Sequence, residues 1–243
     1  MTSLPMKRPA KRLGLVTDLD ICVGCHACTV SCQQWNADAA ADQDALNPAM
    51  LTTSLNRVFT YEAGDGAEGR TVHFPKSCLH CEDAACVTVC PTGAAYKRDQ
   101  DGVVLVDEER CIGCGFCAWA CPYGACELDA NEGVMKKCTL CIDRIYNETL
   151  PAEDQEPACV TSCPAHARHF GDFADPHSVV SKLTAGREGY DLMPALNYHP
   201  TNKYLPPRKP VASNKNINAP KALTPKPEGS FLGWLDRVLS DLP

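Results

Sequence analysis

Residues 111–122 read Cys111-Ile-Gly-Cys114-Gly-Phe-Cys117-Ala-Trp-Ala-Cys121-Pro122, a C-x2-C-x2-C-x3-C-P run. Three cysteines at this spacing wrap a tight loop whose side chains converge on one corner region, and so offer three thiolates to a cube of iron and sulfide. The fourth cysteine, three residues on and followed by proline, ligates the other cluster of a pair. The proline fixes φ, withholds an N–H and turns the chain away from the helix that presents Cys121. Zinc asks for four ligands in a tetrahedron, typically as two separated C-x2-C pairs. A triple run suits it poorly, and zinc stands as the alternative metal.

The same pattern occurs four times, which makes the chain an internal repeat. Group one is Cys22, Cys25, Cys28 and Cys32, spaced like the run above but followed by Gln33. Group two is Cys78, Cys81, Cys86 and Cys90, spaced C-x2-C-x4-C-x3-C and followed by Pro91. Group three is the opening run. Group four, Cys138, Cys141, Cys159 and Cys163, is split by a long gap and followed by Pro164. Four repeats imply four [4Fe–4S] clusters.

Distance along the chain suggests how the groups pair. Groups two and three are adjacent, with a hairpin between them, and are expected to exchange fourth ligands as a two-cluster ferredoxin does. Cluster C then takes Cys78, Cys81, Cys86 and Cys121, and cluster D takes Cys90, Cys111, Cys114 and Cys117. Groups one and four flank that unit and pair across it. Cluster A takes Cys22, Cys25, Cys28 and Cys163, and cluster B takes Cys32, Cys138, Cys141 and Cys159. Of the 17 cysteines only Cys126 is left over, and it reads as a small buried residue.

The fold class expected is α+β: two bacterial-type ferredoxin-like units, one inserted into the other. The outer unit is 13–73 plus 129–175, the inner unit 74–128, and 176–243 a C-terminal tail. Strands are expected over Leu13–Thr17 and Ala167–Gly171. Hairpins are expected from Ala95–Lys97 with Val103–Val106, turned at Asp101-Gly102, and from Leu128 with Val134–Lys136, turned at Asn131-Glu132-Gly133. Residues 36–70, rich in Ala, Asp and Asn, read as a cysteine-free surface excursion. Residues 206–229 are rich in Pro, Lys and Asn and read as extended chain. In the terminal FLGWLDRVLSDLP, the residues Phe231, Leu232, Trp234, Leu235, Val238 and Leu239 fall on one helical stripe.

Composition narrows the function. Aromatic residues are only 7% of 243, so the apolar core is modest and metal ligation is expected to organise the fold. A net charge of −7 argues against a nucleic-acid partner. No run approaches the roughly 20 apolar residues that span a bilayer. The start MTSLPMKRPAKRLGLV is basic but lacks an apolar stretch of signal-peptide length, which reads as cytoplasmic; a periplasmic location would need an exported partner to carry the chain. There is no Gly-rich nucleotide loop, nucleophile triad or flavin fingerprint. With every iron held by thiolate, no coordination position is open to a small-molecule substrate. The reading is therefore a non-catalytic electron carrier.

Several polar residues near the cysteines admit two readings. His26 and His80 lie between ligand cysteines, where they tune a cluster or merely pack. His166 and His169 read as structural. Lys136, Lys137 and Arg144 flank group four, either as solvated charge or as compensation for a cluster's negative charge, which raises its potential.

The four groups, with the Cys138-Thr-Leu-Cys141-x-x-Arg144 element and the Cys163-Pro164 ending, resemble the iron–sulfur subunit of membrane-bound molybdopterin oxidoreductases of the dimethyl sulfoxide reductase family. The resemblance spans roughly residues 13–175. It implies two partners, a molybdopterin-containing catalytic subunit and an integral membrane subunit that exchanges electrons with quinone. It also implies a peripheral position on the inner face of the cytoplasmic membrane, with cluster A toward the catalytic subunit. Some relatives have tryptophan at the second cysteine of group three; here Cys114 is present, so D is a four-iron cluster. The stretches LGLVTDLDICVGCHAC and DLMPALNYHPTNKYLPPR are similar to the iron–sulfur subunits of cytoplasmic sulfite dehydrogenases that feed quinone. Dimethyl sulfoxide, polysulfide, thiosulfate and tetrathionate reductases remain alternatives, as does a free-standing polyferredoxin.

Overall fold

The computed structural model describes residues 4–5, 7–36, 53–63 and 70–208. Its central strand, β1 (Leu13–Asp18), lies between β8 (Arg168–Asp172) and β9 (Lys203–Leu205). The β1–β8 pair is antiparallel, from Leu13 opposite Asp172 to Thr17 opposite Arg168. The β1–β9 pair is parallel, with Val16 opposite Lys203. Pairing on both sides satisfies the edges of β1, and its two faces are covered separately, Leu15 and Val16 packing into different clusters. Helix α6 (Val179–Gly186) covers the sheet with Val180, and Ser178 caps it by accepting from the Ser181 N–H at 3.2 Å.

Around this sheet the cysteine-bearing pieces are short. Helix α1 (Ala27–Trp35) packs on α5 (Ala158–Thr161), and α2 (Ala85–Thr88) packs on α3 (Phe116–Ala120). The hairpins fall where the turn residues predict them. Strands β4 (Ala95–Lys97) and β5 (Val104–Val106) turn through Gly102, at φ 74°. Strands β6 (Glu127–Asp129) and β7 (Val134–Lys136) turn through Gly133, at φ 69°, with its N–H on the Asp129 carbonyl. The one-turn helix α4 (Ile142–Ile145) follows Cys141.

Two expectations change. The excursion 36–70 ends in a hairpin: β2 (Asn56–Ala63) pairs along its whole length with β3 (Arg70–Ser77). Its base is buried at Asn56 and Ser77, and is held by the Tyr204 hydroxyl donating to the Pro75 carbonyl and by Phe74 stacked on Tyr204, 4.4 Å apart. The Ala-rich part, 37–52, lies outside the described residues. The stretch 176–205, counted with the tail, is also folded, because it supplies α6 and β9. Its strand is too short to read from periodicity; it exists because β1 offers it an edge. The segment 209–243, with its amphipathic stripe, lies outside the described residues.

The apolar core is dispersed and shares its space with cysteine. Leu15, Val103, Leu105 and Leu140 cluster with Cys28 and Cys159. Thr201 and Asn202 pin the C-terminal segment to this centre. The Thr201 hydroxyl donates to the His80 carbonyl at 2.8 Å. The Asn202 carboxamide accepts from the Leu15 N–H at 2.8 Å and donates to the Cys78 carbonyl at 2.9 Å. Asn202→Ala strands both of these buried backbone groups and is expected to cost about 2–4 kcal/mol, read as a lower midpoint in anaerobic urea unfolding.

Candidate metal centres

Each cysteine group uses a left-handed residue two positions after its first cysteine. The four are Gly24 at φ 65°, His80 at 47°, Gly113 at 64° and Leu140 at 59°. That conformation turns the N–H of the residue back onto the preceding sulfur. The Leu140 N–H donates to Cys138 Sγ at 3.4 Å, and the Gly24 and His80 N–H groups serve Cys22 and Cys78 likewise. Glycine takes this conformation without strain, whereas His80 and Leu140 take it at roughly 1–2 kcal/mol each. A second such position follows the cysteine-proline pairs, at Gly93, Gly124 and His166. His80 and His166 therefore occupy turn positions held elsewhere in the repeat by glycine, and His26, just after Cys25 at φ 60°, matches Gly115 just after Cys114 at φ 77°.

The loops and helices bring the cysteines together in fours. Cys22, Cys25, Cys28 and Cys163 line one cavity, beside Arg168. Cys78, Cys81, Cys86 and Cys121 line a second, with Cys126 in its wall. Cys90, Cys111, Cys114 and Cys117 line a third. Cys32, Cys138, Cys141 and Cys159 are all buried and act electrostatically on one another. In each group the third and fourth cysteines are four residues apart, one helical turn, so each helix reaches into two neighbouring quartets. The pairs are Cys28 and Cys32, Cys86 and Cys90, Cys117 and Cys121, and Cys159 and Cys163.

The donor set fits an iron–sulfur cube. Among the described residues no three His, Cys, Asp or Glu side chains converge closely enough to hold a single metal ion. Sulfurs spread around a cavity in fours suit a body with metal at several corners, not a lone zinc at about 2.3 Å from each ligand. Backbone N–H groups point at these sulfurs: Ala95 on Cys90, Met135 on Cys111 and Ala167 on Cys163, each at 3.3 Å. Such donors stabilise the thiolate that iron needs.

As thiols, the interior cysteines resist ionisation. Burial pushes Cys78 and Cys159 up to about 11 and Cys141 up to about 12. Iron binding must displace those protons, which couples assembly of the centres to folding. Cys126 acts in the opposite sense. Its one S–H lies within hydrogen-bonding reach of Cys117, Cys121 and Cys86 and can serve one of them at a time; as a neighbour it lowers Cys117 to about 7 and Cys121 to about 6. The leftover cysteine is thus buried, as expected, and lies where the second and third quartets meet.

The other flanking residues separate by role. Lys136 pairs with Glu132 at 2.6 Å and Asp129 at 3.3 Å, so it belongs to the β6–β7 hairpin. Arg144 covers the Trp35 ring at 4.7 Å and donates to the Glu156 carbonyl at 2.8 Å, closing the gap inside group four. His80 is fully buried; burial keeps it well below its ordinary pKa, and its Nδ1 accepts from the Val104 N–H at 3.1 Å. His169 is also held low by burial. Lys137 and Arg168, by contrast, are buried among the cysteines. Sequence reasoning missed Arg168; the available signal was a cation inside an otherwise core-facing strand directly after group four.

Fold and site together define an iron–sulfur protein of the dicluster type. Two family models described as 4Fe-4S dicluster domain match, over residues 21–94 and 70–173. The B subunit of sulfite dehydrogenase from Allochromatium vinosum is 56% identical over 202 residues, covering 82% of this chain and 84% of that one. The B polypeptide of anaerobic dimethyl sulfoxide reductase from Escherichia coli is 40% identical over 166 residues, 65% of this chain and 72% of that one. Its counterpart in polysulfide reductase from Wolinella succinogenes is 36% identical over 183 residues, 73% and 85%. The protein belongs to this family, the iron–sulfur subunits of the dimethyl sulfoxide reductase family of oxidoreductases. It is an electron-transfer subunit, and its cofactors are four [4Fe–4S] clusters.

The loop glycines give the arrangement a direct test. A Cβ on Gly113 falls 2.3 Å from the Gly133 carbonyl oxygen, at a φ that L side chains rarely adopt. Backbone cannot yield there without moving the β6–β7 turn. Gly113→Ala is expected to lose one cluster's worth of iron while the distant quartets stay loaded, measured as iron and acid-labile sulfide per chain.

Proposed function

We propose that this protein carries electrons along four clusters in the order A, B, C, D, between a molybdopterin catalytic subunit and a membrane subunit that reacts with quinone, in the oxidation of sulfite. Cluster A is held by Cys22, Cys25, Cys28 and Cys163, and B by Cys32, Cys138, Cys141 and Cys159. Cluster C is held by Cys78, Cys81, Cys86 and Cys121, and D by Cys90, Cys111, Cys114 and Cys117. Groups one and four form an outer ferredoxin-like unit and groups two and three an inner one inserted into it. The packing of α1 on α5 and of α2 on α3 supports that division.

The order rests on which sulfurs feel each other. Cys159 of B lies in the field of Cys28 of A, Cys78 of C in that of Cys138 of B, and Cys86 of C in that of Cys117 of D. Each bound cluster supplies one-electron redox chemistry. The residues hold it, keep water away and stabilise its thiolates through N–H donors. Cys138, Cys141, Cys159 and Cys32 are all buried, whereas Cys25 and Cys114 are exposed. Electrons therefore enter and leave at A and D, not in the middle. At the D end Ile112, Phe116 and Trp119 are exposed, Trp119 by 91%, an apolar face suited to the membrane subunit. Among the described residues no helix is long and apolar enough to cross a membrane, and in this reading the membrane subunit anchors the complex at the inner face.

The observation that carries the sulfite reading is the 56% identity with the sulfite dehydrogenase subunit across most of both chains. Membranes containing the complex are expected to reduce quinone when given sulfite, and a strain deleted for this protein to lose that activity. Retention in the deletion strain sinks the sulfite assignment. Cys126→Ala is expected to keep the full iron and sulfide count, since Cys126 is no ligand. Loss of a whole cluster in that variant contradicts the ligand sets above.

A further inference from the structure

Three buried cations, Lys97, Lys137 and Arg168, have no carboxylate ion pair among the described residues, and the last two lie deepest. Lys137 is 3% exposed and Arg168 is 4% exposed. Among the described residues the ion pairs all fall on other cations. The Lys137 ammonium donates to the Val104 carbonyl and, at 3.1 Å, to the Cys138 carbonyl. Arg168 donates through Nη1 to the Asn56 side chain at 2.9 Å, while its buried Nε has no partner. Carbonyl and amide dipoles solvate a charge in part but do not neutralise it. An unpaired buried cation is costly enough that an opposite charge is required nearby.

Among the described residues the acidic groups that act on Lys137 and Arg168 most strongly are cysteine sulfurs. Lys137 acts on Cys78 and Cys86 of one quartet and on Cys138 of the next. Arg168 acts on Cys28 of the first quartet, to which it is hydrogen-bonded, and on Cys159 of the second. Each cation thus lies between two adjacent quartets, Arg168 between A and B and Lys137 between B and C. The remaining junction, between C and D, holds the side chain of Cys126 instead. Other charge near Lys137 does not remove its role: burial disfavours the charged form of His80, and Lys97 acts on Glu82 and on Cys81 and Cys78 of a single quartet, so it does not lie between two.

We propose that Lys137 and Arg168 are the built-in counter-cations of the electron path, Lys137 holding up the reduction potentials of clusters B and C together and Arg168 those of A and B. A fixed positive charge in a dry interior favours the state with the extra electron, so it raises the potential of every cluster it faces. One ammonium shared by two clusters ties their potentials, and cluster B, flanked by both cations, receives the larger share. This inference rests on the four-cluster assignment above.

The test is an EPR-monitored redox titration of the purified complex carrying Lys137→Met, Lys137→Gln, Lys137→Arg, Arg168→Met or Arg168→Lys, with iron and sulfide counted for each. Each neutral variant is expected to lower two midpoints. The change is about tenfold in the reduced-to-oxidised ratio at fixed potential, about 59 mV for one electron. One cluster responds at both positions, one responds at neither, and the charge-keeping variants restore most of the shift. Neutral variants that load all four clusters with every midpoint unmoved, or with all four moved alike, overturn the proposal. Should neutral variants fail to load clusters, success of the charge-keeping ones supports the counter-cation role. Failure of both kinds assigns the residue to packing and overturns it. A wild-type protein without four clusters defeats the cluster assignment instead, and that is visible before any variant is made.

Discussion

A tight cysteine loop can present three thiolates to one side of a cube, and the fourth must come from somewhere else in the sequence. The rest of this structure follows from that shortage. The third and fourth cysteines of each group are one helical turn apart, so one helix faces two neighbouring centres. A second helix returns the favour from the opposite direction. The pairs α1 with α5 and α2 with α3 are the smallest arrangement in which both shortages are met at once. The hairpins and the β1–β8 pairing then hold those helices in place, and they can be short because ligation supplies order that a small apolar core does not.

The same constraint sets the electrostatics. Four clusters and their thiolates collect much negative charge in one interior, and the surrounding protein answers in two ways. Backbone N–H groups are turned onto the sulfurs by left-handed residues at a repeated position, at some cost where that residue is histidine or leucine. Two cations without acidic partners are buried at the boundaries between quartets. Surface charges such as Lys136 and Arg144 find ordinary partners and have no part in this balance. Exposure differs between the quartets: Cys32, Cys138, Cys141 and Cys159 are all buried, whereas Cys25 and Cys114, in two other quartets, are exposed.

Much of this was legible from residue order before folding is considered. Turn chemistry is local, so Asp101-Gly102 and Asn131-Glu132-Gly133 announced both hairpins, and cysteine spacing announced four clusters. The β2–β3 hairpin, which begins inside 36–70, was not legible, because its strands read as ordinary mixed-polarity sequence and are buried only at the base. Nor was the role of 176–205. Three residues of β9 carry no usable period, and the strand exists because β1 leaves an edge beside the Thr201–Asn202 contacts. Histidine at left-handed turn positions was also hidden, since glycine is the residue that advertises such a conformation.

What the sequence determined alone is the chemistry of each repeat, because spacing of two or three residues between cysteines acts within a single turn of backbone. It also determined that Cys126 stands outside the repeats. Only the tertiary structure decided which residues lie between the repeats. Lys137 and Arg168 are separated by 31 positions in the sequence, yet each sits where two quartets from distant segments come close. A charge's reach is set by distance through a dry interior, not by separation in residue number, and that distance exists only once the helices have paired.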